Sequence, residues 1–152
     1  MKSIIVSLLN KLLGQKKINI DTFVLVNKVL IIRQHNQFGD LLASSALFIA
    51  LKEKYPKCEI NVLVSPANYY AIQKNKYIDN YFVFDKKRIL NLLYFFRLKK
   101  FLSKKYDLCI VPSTVSLSFT SSLLGRFSDA RLTLGVESLN GKENKYSSLF
   151  NV

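Results

Sequence analysis

One stretch near the start of the chain constrains the fold more than any other. It runs from Lys28 to Pro56 and reads KVLIIRQHNQFGDLLASSALFIALKEKYP. Its apolar run, Val29 to Ile32, has the length of a strand that is buried on both faces. A polar segment follows, and Gly39-Asp40 then opens an apolar-periodic segment that predicts a helix. Ligands of open α/β sheets bind where strands end and helices begin, so this loop is a candidate for chemistry.

Strands and helices alternate along the rest of the chain. We predict strands near 28–33, 59–64, 81–84, 108–111 and 131–136, and helices near 2–14, 40–54, 66–75, 86–105 and 113–124. This order is typical of the α/β class, and it predicts a Rossmann-like parallel sheet with flanking helices. We therefore divide the chain into an N-terminal amphipathic helix and linker over 1–27, a sheet domain over 28–136, and a polar tail over 137–152.

Charge and composition narrow the classes of function. The chain has 152 residues, enough for one domain, and a net charge of +13. That charge favours anionic partners such as phosphates or acidic lipids, but no motif predicts specific binding of nucleic acid. The chain has five glycines, and they form neither GxGxxG nor a P-loop, which argues against a dinucleotide site or a P-loop site.

The sequence gives no signal for a metal site. His35 is the only histidine, and Cys58 and Cys109 stand far apart without a CxxC pair. We predict two buried, reduced thiols and no metal. No run of about 18 apolar residues predicts a membrane-spanning helix. We therefore expect a cytoplasmic protein, with peripheral attachment to the inner face of the cytoplasmic membrane as the alternative.

Asp40 has two interpretations. As a helix N-cap or first-turn acid it would satisfy free N–H groups and favour the positive end of the helix, for about 1 kcal/mol. As a catalytic base it would accept a proton from an acceptor hydroxyl. One carboxylate can do both. Gly39 beside it would let a ligand approach the backbone or would adopt an unusual φ angle.

Other polar side chains follow the predicted strands. The loop residues His35, Asn36 and Gln37 adjoin Asp40, and we take them as candidates for substrate binding or as an ordinary polar surface loop. Ser113 and Thr114 follow the fourth strand, where they would bind a sugar or phosphate or cap a helix. These two groups of residues would lie at the same edge of a parallel sheet.

Two basic, apolar segments suggest a membrane surface. The first is the predicted helix over 2–14, which would pack on its own or another domain, or lie on a membrane. The second, 86–105, reads KKRILNLLYFFRLKKFLSKK and contains eight Lys or Arg and no acid. It would be a crossover helix with a solvated basic side, or it would contact an anionic membrane or a phosphorylated lipid.

The pattern KVLIIR…GDLLASSALFIALKEKYPKCEINVLVSP, followed by IDNYFVFDK, resembles the ADP-heptose:lipopolysaccharide heptosyltransferase family, glycosyltransferase family 9. The resemblance covers roughly residues 28–136. It implies the N-terminal, acceptor-side half of a GT-B fold, with Asp40 as the catalytic base of an inverting transfer and Gly39 shaping its loop. Many members carry Pro six residues after that Asp, where this chain has Ala46.

The resemblance also implies the substrates. They would be a nucleotide-sugar such as ADP-heptose and a lipid-linked or lipopolysaccharide-type acceptor, with no further cofactor. The family's C-terminal domain, which binds the nucleotide-sugar, has no counterpart in these residues. We therefore expect a truncated gene product, a fragment, or half of a split enzyme, which is inactive or nearly so without a second domain. The alternative is a non-catalytic remnant that binds a membrane or a glycan.

Overall fold

The computed structural model describes residues 2–18, 25–36, 38–113 and 115–152, with backbone alone at 2–6 and 9. Its helices are α1 (Lys2–Leu13), α2 (Phe38–Lys54), α3 (Leu92–Leu102) and α4 (Phe119–Arg126). Its strands are β1 (Lys28–Arg33), β2 (Glu59–Val64), β3 (Asn80–Val83), β4 (Tyr106–Val111), β5 (Ala130–Gly135), β6 (Ser138–Leu139) and β7 (Lys142–Glu143). The five predicted strands are all present, each within two residues of its expected start.

The first five strands form one parallel sheet in the order β3-β2-β1-β4-β5. β1 lies at the centre, where Ile31 pairs with Val62 of β2 on one side and with Ile110 of β4 on the other. The predicted α/β class, a Rossmann-like parallel sheet with flanking helices, is confirmed.

The central strand is apolar from Val29 to Ile32, and both of its faces are covered. Val29 and Ile31 belong to a core that includes Phe48 of α2. Leu30 and Ile32 belong to a second core, which includes residues of α3 and α4. Successive side chains of a strand point to opposite faces, so a continuous apolar run, and not an alternating one, is what such a position requires.

Three predicted helices are shorter than expected. The helix predicted over 113–124 begins only at Phe119, after the N-cap Ser118, and ends at Arg126. The segment 66–75 contains only a 3₁₀ turn at Tyr69–Ala71. The segment 86–105 is a 3₁₀ turn at Lys86–Arg88 followed by α3. The side chain of Asn91 accepts a hydrogen bond from the N–H of Tyr94 at 3.0 Å, and this N-cap fixes where α3 begins.

The polar segment 137–152 packs on the sheet domain. It forms the short β6–β7 hairpin and then places Phe150 in the core beside β4 and α4. The Asn151 side chain accepts a hydrogen bond from the N–H of Thr133 on β5 at 2.6 Å. Whether this segment also leads to a further domain stays a prediction.

Each of the two cysteines lies in one of the two cores. Cys58 and Cys109 are free and buried, as predicted, and burial raises the pKa of Cys109 to about 12. A thiol of that pKa is protonated and unreactive at neutral pH. Among the described residues, no helix has the length and hydrophobicity needed to cross a bilayer.

Candidate functional site

The strand order creates a crevice at the carboxyl ends of β1 and β4. The chain leaves β1 toward α2, on one face of the sheet, and leaves β4 toward α4, on the other face. Ligands of open α/β sheets bind where connections diverge in this way. The loops that follow Arg33 and Val111 therefore border the candidate site.

A buried arginine stands at the end of β1. The side chain of Arg33 is 5% exposed, and its Nε donates a hydrogen bond to Ser44 Oγ at 2.7 Å. Its Nη1 donates to the carbonyl of Pro112, beyond β4, at 3.3 Å and lies 3.9 Å from Asp40 Oδ2. Burial lowers the pKa of Arg33, and the attraction of Asp40 opposes that effect. The arginine thus joins β1, α2 and the loop after β4.

Asp40 lies in the first turn of α2. The helix begins at Phe38, so Asp40 is its third residue and not its N-cap. Its carboxylate is 17% exposed, and its backbone carbonyl accepts a hydrogen bond from Ser44 Oγ at 2.9 Å. A first-turn acid is favourable near the positive end of a helix, so that structural role applies, and it leaves the carboxylate beside the crevice.

Gln34 closes the floor of the crevice. Its buried side chain donates hydrogen bonds from Nε2 to Ser118 Oγ and Ser121 Oγ, each at 3.0 Å. Ser118 is also the N-cap of α4, accepting from the N–H of Ser121. These bonds fix the start of the β1 loop against the start of α4.

A cleft of about 610 Å³ opens beside this network, at the carboxyl ends of the sheet. Polar residues from three connections line it, namely Gln34, His35, Asn36, Ser65, Asp85, Lys86 and Lys87. The carbonyl of His35 accepts a hydrogen bond from Asn68 Nδ2 at 2.7 Å, which holds the β1 loop against the loop after β2. The cleft is polar and carries two lysines, which suits an anionic or hydroxyl-rich ligand.

His35 is poised at the wall of the cleft. Burial lowers the pKa of this imidazole, Lys86 and Arg33 lower it further, and Asp40 opposes them. Its Nε2 atom is buried without a hydrogen-bond partner among the described residues. A neutral imidazole nitrogen can donate or accept a hydrogen bond, so the described part of the chain leaves this buried atom unsatisfied.

The lowered pKa of His35 predicts a pH dependence of stability. The unfolded chain binds the proton near pH 6.5 and the folded chain only at lower pH, so the free energy of unfolding should fall as pH drops from about 7 toward 5. Urea unfolding at several pH values measures this loss. His35→Gln should reduce it. An equal loss in that variant would show that other groups are responsible.

The structure brings some of the predicted site residues together. Asn36 is exposed at the cleft, whereas Asp40 is next to Arg33 and is not among the residues that line the cleft. Ser113 is half-buried after β4 and does not line the cleft. Gln37 and Thr114 lie outside the described residues.

The expectation of an unusual φ at Gly39 is wrong. Gly39 is helical, and among the described residues positive φ angles occur at Lys105, Asn140 and Gly141. The helix starts two residues earlier than predicted, which puts this glycine inside its first turn. A Cβ there would meet no atom within 4 Å, so the backbone is open to an approaching ligand.

Sequence reasoning missed Arg33, Gln34 and the two cleft lysines as site residues. The sequence did contain one signal: Arg33 comes directly after a buried apolar run. A cation at such a position needs a polar partner, so its presence indicates a buried polar network. Lys86 and Lys87 were grouped with a helix, whereas the 3₁₀ turn after β3 directs them to the cleft.

Solved structures of glycosyltransferases have a fold similar to that of this chain. Three are similar: a glycosyl transferase family 9 protein from Veillonella parvula DSM 2008, Escherichia coli ADP-heptose lps heptosyltransferase II, and E. coli heptosyltransferase WaaC with ADP. Their TM-scores are 0.61, 0.54 and 0.65, at 18%, 22% and 17% identity. The chain shares the fold of family 9 glycosyltransferases. The structural expectation drawn from the sequence resemblance is thus confirmed.

The similarity covers most of this chain and a minor part of each relative. It includes 76%, 71% and 82% of this chain, but 34%, 30% and 40% of the respective solved chains. The chain therefore spans about a third of their length. No family model and no curated protein matches the sequence.

Proposed function

We propose that this chain is the acceptor-binding domain of an inverting glycosyltransferase. The sugar would come from a nucleotide-sugar of the ADP-heptose class and pass to a lipopolysaccharide-type acceptor. One observation carries the proposal: in a family 9 fold, Asp40 lies in the first turn after the central strand, beside the crevice and next to a buried arginine. This is the position that the sequence resemblance gives to the catalytic base.

Asp40 would accept a proton in this reaction. An acceptor hydroxyl attacks the anomeric carbon of the donor, the bond from that carbon to the nucleotide phosphate breaks, and the hydroxyl proton passes to the carboxylate. A well-placed base contributes roughly 10²–10⁴-fold to such a rate. Asp40 is partly exposed, so a hydroxyl can reach it.

Arg33 acts as a positioning residue in this proposal. Its guanidinium is fixed by Ser44 and by the Pro112 carbonyl, and it stands 3.9 Å from the Asp40 carboxylate. Attraction between the two charges restrains the carboxylate at the crevice. A base held in one orientation costs less entropy when the acceptor binds.

The cleft supplies groups suited to a glycan. Asn36 can hydrogen-bond sugar hydroxyls, and Lys86 and Lys87 can bind acidic or phosphorylated substituents. His35 lines the same cleft, with its Nε2 atom buried. Gln37, Ser113 and Thr114 remain predictions for the same role. No resident cofactor enters the proposal.

The donor site is proposed to lie in a second domain. The solved chains with this fold are more than twice as long as this chain, and one of them is described with ADP. Donor and acceptor must be held together for transfer, so this domain alone should bind acceptor without turning it over. A non-catalytic remnant would bind equally well, and only transfer in an enzyme containing this domain separates the two.

Calorimetric titration tests the proposal on the chain itself. A deacylated lipopolysaccharide core oligosaccharide should bind with saturation, and ADP should not bind at the same concentrations. Asn36→Ala should weaken binding of the oligosaccharide. Asn140→Ala, at an exposed turn on the β6–β7 hairpin, should leave that binding unchanged. Saturable binding of ADP alone would point to a donor-side domain instead.

A further inference from the structure

Helix α3 is apolar on two opposite sides. Its core side consists of Tyr94, Leu98, Phe101 and Leu102, all buried. Leu92 and Phe96 stand two residues before and after Tyr94, which is about 200° around a helix of 3.6 residues per turn. They are 72% and 61% exposed. A crossover helix of a domain in water would carry polar residues there.

The outer apolar residues form one exposed surface with the residues just before the helix. Leu90 is 92% exposed and Leu93 is 74% exposed. We call this surface the apolar tip, and it consists of Ile89, Leu90, Leu92, Leu93, Phe95 and Phe96. It continues into an apolar groove of about 560 Å³ between α3 and α4. Contiguous exposed apolar surface of this kind marks an interaction site.

Exposed cations surround the apolar tip. We call them the basic collar, and they are Lys86, Lys87, Arg88, Arg97, Lys99 and Lys100. Within the described part of the chain, none of the six forms an ion pair. The sequence from 86 to 105 contains no acid, and Asp85, just before it, lines the cleft beside Lys86 and Lys87. An apolar centre within a cationic ring is complementary to a bilayer with anionic head groups.

We propose that the apolar tip inserts into the head-group region of an anionic lipid bilayer, with the basic collar on the phosphates. A second copy of this chain fits less well. The net charge of +13 and the collar on each copy would repel one another where two tips met. A bilayer supplies apolar depth and negative charge together, as the two halves of this surface require.

The apolar tip lies next to the proposed acceptor cleft, and this part of the inference rests on the proposed function. Lys86 and Lys87 belong both to the collar and to the lining of the 610 Å³ cleft. Docking of the tip therefore places the cleft beside the lipid head groups. An acceptor glycan attached to a membrane lipid could then reach the cleft without leaving the bilayer.

The absence of tryptophan from the sequence makes a site-specific test possible. Leu93→Trp puts a single fluorophore on the tip, and Leu25→Trp puts a matched one at another exposed leucine, just before β1. Vesicles of phosphatidylcholine with about one third phosphatidylglycerol should shift the emission of Leu93→Trp to the blue and leave Leu25→Trp unchanged. About 0.5 M salt should reverse the shift, because it screens the collar.

Charge variants separate the collar from the net charge. Lys99→Gln with Lys100→Gln should weaken vesicle binding at least roughly tenfold. Lys54→Gln with Lys57→Gln removes the same charge at exposed positions near the other end of the sheet and should change binding less than about twofold. Equal losses from both pairs would overturn the proposal in favour of bulk attraction.

Other outcomes would also overturn the proposal. They are a blue shift equally strong with neutral vesicles, a shift that rises with protein concentration in the absence of vesicles, and no shift with any vesicle. The double variant Leu8→Ser with Leu12→Ser tests α1 instead. If it no longer binds vesicles, and the emission of Leu93→Trp does not change when vesicles are added, the membrane contact belongs to α1. The vesicle assay contains no acceptor and the oligosaccharide titration contains no lipid, so the two proposals can fail separately.

Discussion

Asp40→Ala is expected to lower turnover at least ~10²-fold in a transfer-competent enzyme that contains this domain. The reason is that the acceptor hydroxyl would lose its proposed base beside Arg33. Asp85, the carboxylate that lines the cleft, is engaged as the N-cap of the 3₁₀ turn, where it accepts a hydrogen bond from the N–H of Lys87 at 2.9 Å. Some stability should be lost as well, because Asp40 is the ion partner of the buried Arg33, so urea unfolding of the variant must show that it is folded under the assay conditions. Initial rates at saturating donor and acceptor measure the effect.

Glu53→Ala is the matched control for that experiment. Glu53 is an exposed acid near the other end of the same helix, α2, so its removal changes the charge equally and should leave turnover unchanged. Asp40→Asn keeps the shape of the side chain and should be almost as slow as Asp40→Ala. Near-normal turnover in Asp40→Asn would leave Asp40 with its helix-end role alone.

Phe150→Ala is expected to destabilise the domain by about 3–5 kcal/mol. The ring is 2% exposed and lies in the core with Leu124 and Val111. It also fills the space above Gly135, where an added Cβ would overlap the Phe150 ring. Truncation would leave a cavity that β5 and α4 cannot close without moving. Urea unfolding measures the loss.

Phe127→Ala provides the comparison for Phe150. It removes the same ring at a position that is 56% exposed, next to the end of α4, and should cost less than about 1 kcal/mol. A similarly small cost for Phe150→Ala would mean that the segment 137–152 contributes nothing to the folded domain. It would then be no more than a connection.

Much of the fold could be predicted because the central strands are apolar without interruption. Val29 to Ile32 and Val62 to Val64 are buried on both faces, and only a parallel sheet covered by helices explains such runs. The start of α3 at Asn91 could also have been predicted, since an Asn before an apolar-periodic segment is a common helix start. It was missed because the eight cations of 86–105 were read as one continuous helix.

The polar network of the site could not be predicted, because its bonds join residues far apart in sequence. Gln34 bonds to Ser118, 84 residues away, and Arg33 bonds to Pro112, 79 residues away. Periodicity reports on the face that a residue occupies and not on its hydrogen-bond partner. Phe150 was missed for a related reason. It stands in a polar stretch without a helix or strand period, and only tertiary packing buries it.

NMR titration locates the acceptor on this domain. The deacylated core oligosaccharide should perturb backbone amides in three places: the loop at 34–36 with the first turn of α2, residues 65–68, and residues 85–87. ADP should perturb none of them. Saturable shifts confined to other parts of the chain, with these amides unmoved, would contradict an acceptor site at the carboxyl edge of this sheet.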